Sequence, residues 1–300
     1  MGLVINLILV FVIGIVANFI GAIVGIGGLI SIPFSGNIYS FIRVQKPITK
    51  LFGPRYLPNH KYISIDITYH CNLKCINCNR SCGQAPCNDQ MTVKQIYKFV
   101  KESINNNVKW EEIRILGGEP TLHPNVLEIL NLLLKYKNNY SSDTIIRFVT
   151  NGIENYNIIS KIPKKIRIQI MPKKDKVHHI PFNVAPKDSR LYKYANYSNG
   201  CLITSMCGIG LTPYGYYPCA IAGGIDRIFG FNIGRKKLPS SNDSMIDQLQ
   251  VFCRLCGHFR YPSKKLFMYK VKHTNNEILS PTWKKAYKKY KIKKPLLSLY

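Results

Sequence analysis

Three times between Ile63 and Gly152 an extended, β-like segment runs directly into a motif that carries chemistry. Residues 63–69, Ile-Ser-Ile-Asp-Ile-Thr-Tyr, alternate as a strand does and lead into Cys71-Asn-Leu-Lys-Cys75-Ile-Asn-Cys78. Residues 112–116 lead into Gly117-Gly118-Glu119-Pro120, and residues 144–149 into Thr150-Asn151-Gly152. Between them, residues 91–106 and the leucine-rich 126–136, with Pro124 near its first turn, have helical spacing. A short segment at 155–162 and a fourth strand at 166–170 continue the rhythm. Strands alternating with helices predict an α/β protein with a parallel sheet, either open and doubly wound or part of a barrel. In such sheets the C-terminal strand ends share one edge, where ligands bind, so the three motifs are expected to meet there. A lone Gly-Gly pair would be only a turn.

The cysteine run decides the chemistry. With ten Cys in 300 residues, a C-x3-C-x2-C triple is expected by chance only about 0.01 times. Three thiolates on one loop do not complete a tetrahedral zinc site, whereas a cubane iron–sulfur cluster is held by three and keeps one iron open. Zinc with a distant fourth ligand, such as Cys82 or His70, is the alternative.

At these residues the sequence resembles the radical S-adenosylmethionine (SAM) superfamily, over roughly 61–185. The resemblance implies a partial (βα)6 TIM-type barrel in which Cys71, Cys75 and Cys78 ligate a 4Fe-4S cluster whose fourth iron is chelated by SAM. It also implies that Gly117, Gly118, Glu119 and Pro120 bind the methionine amino group, with Asn151 and Asn77 in the cofactor site. Asn77 stands where the family usually has an aromatic residue beside adenine. The family's ribose motif is not recognisable at 168–171, and barrel strands five and six are poorly defined. The chemistry implied is reductive cleavage of SAM to a 5′-deoxyadenosyl radical that abstracts hydrogen from a substrate, with electrons from a protein such as flavodoxin or ferredoxin.

After Pro186 the pattern changes to short segments rich in Tyr, Gly and Cys. Cys207 and Cys219 flank a hairpin-like turn, and Cys253-Arg-Leu-Cys256 is a knuckle that presents two thiolates to one metal. These four are expected to form one closed site. The arrangement is similar to the SPASM and twitch auxiliary domains of radical SAM enzymes, which implies an additional 4Fe-4S cluster; zinc is the rival occupant. Gly215 is followed by three residues before Cys219 where a full SPASM domain has four, so one auxiliary cluster is expected. Cys82, Cys87 and Cys201 remain. Arg80 could lower the Cys82 pKa, Cys201 could replace one auxiliary ligand, and the default for all three is a free or buried thiol. His178 and His179 read as loop residues.

The N-terminus stands apart. There is no charged side chain before Arg43, and about 20 apolar residues from Leu3 onward at 1.5 Å each match a bilayer core of roughly 30 Å. A transmembrane helix in 1–34 is expected, with a cleaved signal peptide or a buried hairpin as alternatives. Arg43, Lys46, Lys50, Arg55 and Lys61 follow, so the positive-inside rule places the body in the cytoplasm of a single-pass membrane protein. The remaining boundaries are a linker at 35–60, the barrel at 61–186, the Cys-rich module at 187–263 and a basic tail at 264–300.

The net charge of +27 is Lys-dominated, with 31 Lys to 11 Arg, so it is weak support for nucleic acid. The tail, with eleven Lys interleaved with Trp283, Tyr287 and Tyr290, reads as a solvated basic helix, then as a surface for anionic lipid, and only third as a nucleic-acid contact. Two substrate classes compete, a peptide or protein and a lipid-linked or glycan molecule. The non-enzymatic alternative is a zinc-binding membrane-tethered adaptor.

Overall fold

The computed structural model describes residues 39–153, 156–171, 179–260 and 277–300. Its centre is β1 (Tyr62–Thr68), flanked by β2 (Glu112–Gly117), β3 (Ile145–Thr150) and β4 (Arg167–Ile170) on one side. On the other side lie β5 (Ile209–Thr212) and β6 (Gly215–Tyr217), giving the order β4-β3-β2-β1-β5-β6. All neighbours are parallel except β5 and β6, which form an antiparallel hairpin. The α/β class and the parallel sheet are therefore as expected, with two differences in how the sheet is completed. The consecutive βα run is four strands long among the described residues, not six. The hairpin expected in a separate Cys-rich module instead pairs with β1 through Ile63↔Ile209 and Ile65↔Leu211, so residue 186 is not a boundary of the sheet. The cause is the free edge of β1, whose backbone groups need a partner once the strand is buried.

Alternation along β1 gives it two unlike faces. Ile63, Ile65 and Ile67 are fully buried against Phe99, Ile113, Ile115, Ile129, Leu133 and Phe148. Two helices cover this face. In α2 (Val93–Asn105) a capping box starts the helix: Thr92 Oγ1 accepts from Gln95 N at 3.2 Å and Gln95 Oε1 accepts from Thr92 N at 2.8 Å. In α3 (Val126–Asn139) Val126, Ile129, Leu130, Leu133 and Leu134 form the buried stripe. The opposite face of β1 carries Ser64, Asp66 and Thr68, also buried, each with a polar partner.

A second core lies beyond the hairpin. It joins Tyr69, Phe182, Tyr217, Ile225 and Phe252 with α4 (Ala220–Phe229), α5 (Ile246–Cys253) and α6 (Pro281–Ile292). Trp283, Tyr287 and Tyr290 of the last helix are core residues, and Trp283 Nε1 donates to Leu255 O at 2.7 Å. The aromatic residues expected at a basic surface thus anchor the helix, while Lys284, Lys285, Lys288 and Lys289 point outward. The chain reaches Tyr300 buried, with its hydroxyl on Glu102 and Tyr216.

The expected linker is also packed. Residues Lys46–Phe52 form helix α1, Arg43 and Val44 are buried, and Asn199 Nδ2 donates to Thr49 Oγ1 at 2.6 Å. Lys46 N donates to Tyr194 O and Asn196 N to Val44 O, which ties this segment to the 190s. The expected transmembrane segment lies outside the described residues, among which no helix is long and apolar enough to cross a membrane.

Candidate functional site

The three strand-end motifs meet. Cys71, Cys75 and Cys78 line one open cavity of roughly 250 Å³ together with Gly117, Gly118, Glu119, Thr150, Asn151, Arg80, Cys82, Met171 and His179. The two glycines explain how the second motif comes so close to the first. Gly118 N donates to Thr68 O at 2.7 Å and Glu119 N to His70 O at 2.8 Å. A Cβ on Gly118 would lie 2.1 Å from His70 O, and one on Gly117, whose φ is +135°, would lie 2.3 Å from Thr68 O. Only glycine permits this approach of backbone to backbone.

Glu119 fastens the second motif to the third. Its Oε1 accepts from Thr121 N (3.1 Å), Thr121 Oγ1 (2.7 Å) and Thr150 Oγ1 (2.8 Å), and its Oε2 from Asn151 N (2.8 Å). The carboxylate is almost wholly buried and serves first as a staple between the ends of β2 and β3. Pro120 starts the short 3-10 turn that follows. Asn151 Nδ2 donates to Asn72 Oδ1 at 2.8 Å, which links the third motif back to the cysteine loop. Thr150, quoted in the third motif, and Asn72, within the cysteine run, carry no role of their own in the sequence reading. Asn77 does not line the cavity: with φ +54° it is fully buried, and neither side-chain amide atom has a hydrogen-bond partner among the described residues.

The thiols differ electrostatically. Cys71 is pushed up to about 11 by burial. Cys78 is pulled below the usual thiol range by the Cys82 thiol, which hydrogen-bonds to it, and by backbone N–H groups of Cys82 and Arg80. Cys82 itself is pushed up by that bond and by burial. The thiol favoured as thiolate is thus Cys78 and not Cys82, because the hydrogen bond between them stabilises the Cys78 anion and the Arg80 charge, although paired with Asp66 at 3.3 Å, acts on Cys78 too. Soft donors around a volume of this size, beside strand-end polar groups, suit a polynuclear cluster with a chelating ligand.

A second group of cysteines lies elsewhere. Cys201, Cys219, Cys253 and Cys256 line a cavity of roughly 20 Å³, walled by Ile203, Ile221, Leu249 and Phe252. Cys201 takes the place expected for Cys207. The six-residue helix Leu202–Cys207 separates the two thiols, and Cys201, as its N-cap, is the end that turns to this cavity. The Cys207 carbonyl instead accepts from Ser64 Oγ at 3.0 Å. Burial raises all four thiols, Cys219 to about 12, so a metal binding here must displace protons. Among the described residues no three His, Cys, Asp or Glu side chains converge tightly enough to hold a single metal ion as they stand. His179, read as a loop residue, reaches the first cavity, and His178 lies outside the described residues.

Comparison with known proteins places this geometry. Residues 65–173 match the Radical SAM superfamily. GTP 3′,8-cyclase of Aliarcobacter butzleri (strain RM4018) is 30% identical over 108 residues, covering 35% of this chain and 30% of the relative. A probable GTP 3′,8-cyclase of Methanococcus aeolicus is 34% identical over 107 residues, covering 36% of this chain and 33% of the relative. The chain thus spans about a third of the length of these cyclases. Among solved structures, BtrN in complex with AdoMet and 2-DOIA aligns with 69% of this chain and 98% of its own at 14% identity and a TM-score of 0.46. The cysteine loop, the glycine turn and the third strand end all fall within the matched residues. Residues 65–173 are thus a Radical SAM superfamily domain.

Proposed function

We propose that Cys71, Cys75 and Cys78 hold a 4Fe-4S cluster and that the rim formed by residues 117–120 and Asn151 holds SAM against it. The single observation that carries this is the convergence of three thiols and two strand-end motifs on one open cavity. When bound and reduced, such a cluster supplies the electron that splits SAM into methionine and a 5′-deoxyadenosyl radical. The chain's own part is to place the cofactor and substrate. The Gly117–Gly118 turn brings backbone within reach of the cysteine loop, Glu119 and Asn151 fix the rim, and the buried Asp66–Arg80 pair closes the inner wall.

The substrate we favour is a peptide or protein, supported by the resemblance of the second cysteine group to auxiliary sites of peptide-modifying enzymes. That group, Cys201, Cys219, Cys253 and Cys256, is proposed to hold one auxiliary iron–sulfur cluster. Its small cavity is the reason to measure zinc as well. The GTP of the cyclase relatives is not carried over, since the match is confined to about a third of the chain. The uncharged N-terminal stretch supports a membrane anchor with the catalytic body on the cytoplasmic side, and with it a lipid-linked or glycan substrate as the second reading. A flavodoxin- or ferredoxin-like reductant completes the scheme.

Anaerobic reconstitution with iron and sulfide, then reduction with SAM present, is expected to give an EPR-active cluster and 5′-deoxyadenosine. Cys75→Ala should abolish both. Colourless, zinc-bearing protein with no SAM turnover would establish the adaptor instead.

A further inference from the structure

Arg227, on α4, is 2% exposed and makes no ion pair with a carboxylate among the described residues. Its hydrogen bonds go to residues 80–87, just after the cysteine loop, and to Tyr290, among them one from Nη1 to Cys87 Sγ at 3.4 Å. Nη2 donates to Arg80 O (2.8 Å) and Ser81 O (3.2 Å), and Nη1 to Ala85 O (2.7 Å) and the Tyr290 hydroxyl (2.8 Å). Three of these acceptors are backbone carbonyls just after Cys78, and Ser81 N in turn donates to Cys78 O at 2.7 Å. The guanidinium also lies over the ring of Tyr69, two residues before Cys71, at 4.6 Å. The helix sits close enough that a Cβ on Gly224 would meet Arg80 Cα and Asn79 O at 3.4 Å.

A buried guanidinium without a carboxylate is costly; its two Nη groups are hydrogen-bonded without its charge being neutralised, and Nε finds no acceptor among the described residues. Burying a neutral residue would fill the same space more cheaply. What lies beside it is a loop of cysteines that becomes anionic when its thiolates hold metal. We propose that Arg227 is a positioning residue for the Cys71–Cys75–Cys78 loop. It clamps the two ends of that loop together, and its charge favours the reduced, more negative form of the cluster held there. The inference rests on the cluster reading of the first site.

The test uses the full chain, reconstituted anaerobically, as wild type, Arg227→Met and Arg227→Lys. The midpoint potential is followed on the EPR signal that changes when SAM is added, and iron retention is measured after gel filtration. Arg227→Met is expected to lower the midpoint and to shed iron from the first site. Arg227→Lys keeps the charge but not the fork of donors, so it should hold the midpoint near wild type and still shed iron. An unchanged midpoint and wild-type iron content in Arg227→Met would overturn the proposal. Should Arg227→Met not fold, by far-ultraviolet circular dichroism, Arg227→Lys decides: iron loss at an unchanged midpoint supports the clamp, and wild-type iron retention overturns it. If wild type itself assembles no SAM-responsive cluster, the functional reading fails and not this inference alone.

Discussion

The two cysteine groups differ in almost every physical respect. The first has the three thiols of the C-x3-C-x2-C run, with Cys82 hydrogen-bonded to Cys78 and so turned away from a ligand role, opens on a cavity of roughly 250 Å³ and is rimmed by backbone and amide groups at strand ends. The second has four thiols, encloses roughly 20 Å³ and is walled by aliphatic and aromatic side chains. An incomplete ligand set with room beside it leaves a coordination position for a reactant, whereas a complete set in an apolar pocket leaves none. On the proposed reading, chemistry belongs to the first group. The second group is suited to hold a metal centre without exposing it.

The comparison can be broken most forcefully at Gly118. Because the first site depends on backbone contact, Gly118→Ala must push His70 and Tyr69 aside and should cost about 3 kcal/mol while abolishing SAM cleavage. Urea unfolding and 5′-deoxyadenosine formation measure the two effects, and metal at the second site should survive. Next in size is a pair of variants. Cys201→Ser should lose the second-site metal and Cys207→Ser should keep it, by elemental analysis of a chain that also lacks the three loop cysteines. The reverse result would restore Cys207 as the ligand.

Glu119→Gln is a milder probe. It places an amide among groups that all donate, with an expected loss of about 1–2 kcal/mol and a weakened hold on SAM, read by equilibrium binding. The smallest effect is a pH dependence at His123, behind the glycine turn. Its Nε2 donates to Met91 O (2.7 Å) and its Nδ1 accepts from Asn125 N (3.1 Å), so the ring is held neutral. Burial lowers its pKa below 6.5. The unfolded chain therefore binds that proton more readily, and this contribution to stability is complete above pH 6.5 and lost as pH falls below it. Urea midpoints should drop less between pH 7.5 and 5.5 in His123→Gln than in wild type.

Much of the first site was legible because its signals are local. A strand, a spacing of cysteines and a Gly-Gly pair each declare themselves within a few residues, and the parallel topology brings them together. The second group was half legible. Cys253-x2-Cys256 is a local signal, but the choice of Cys201 over Cys207 depends on which end of one short helix faces the cavity. Arg227 gives no signal, since Asp226-Arg227-Ile228 reads like any helix interior. The tail did carry one that outweighed its charge: Trp283, Tyr287 and Tyr290 fall four and three residues apart, the stripe of a helix with a buried face.

The pairing of β5 with β1 bears on how the chain is made. Ile63 and Ile209 are partners in the sheet yet far apart in sequence, so during synthesis β1 emerges with β2 to β4 long before its other neighbour exists. Through that interval a strand of Ile-Ser-Ile-Asp-Ile presents an unpaired edge to the cell, and closing it waits on a long-range contact that forms slowly. Aspartate within that strand is an unpaired charge until Arg80 meets it, which disfavours pairing with other nascent chains. The buried aspartate that later pairs with Arg80 also guards the strand while the fold is incomplete.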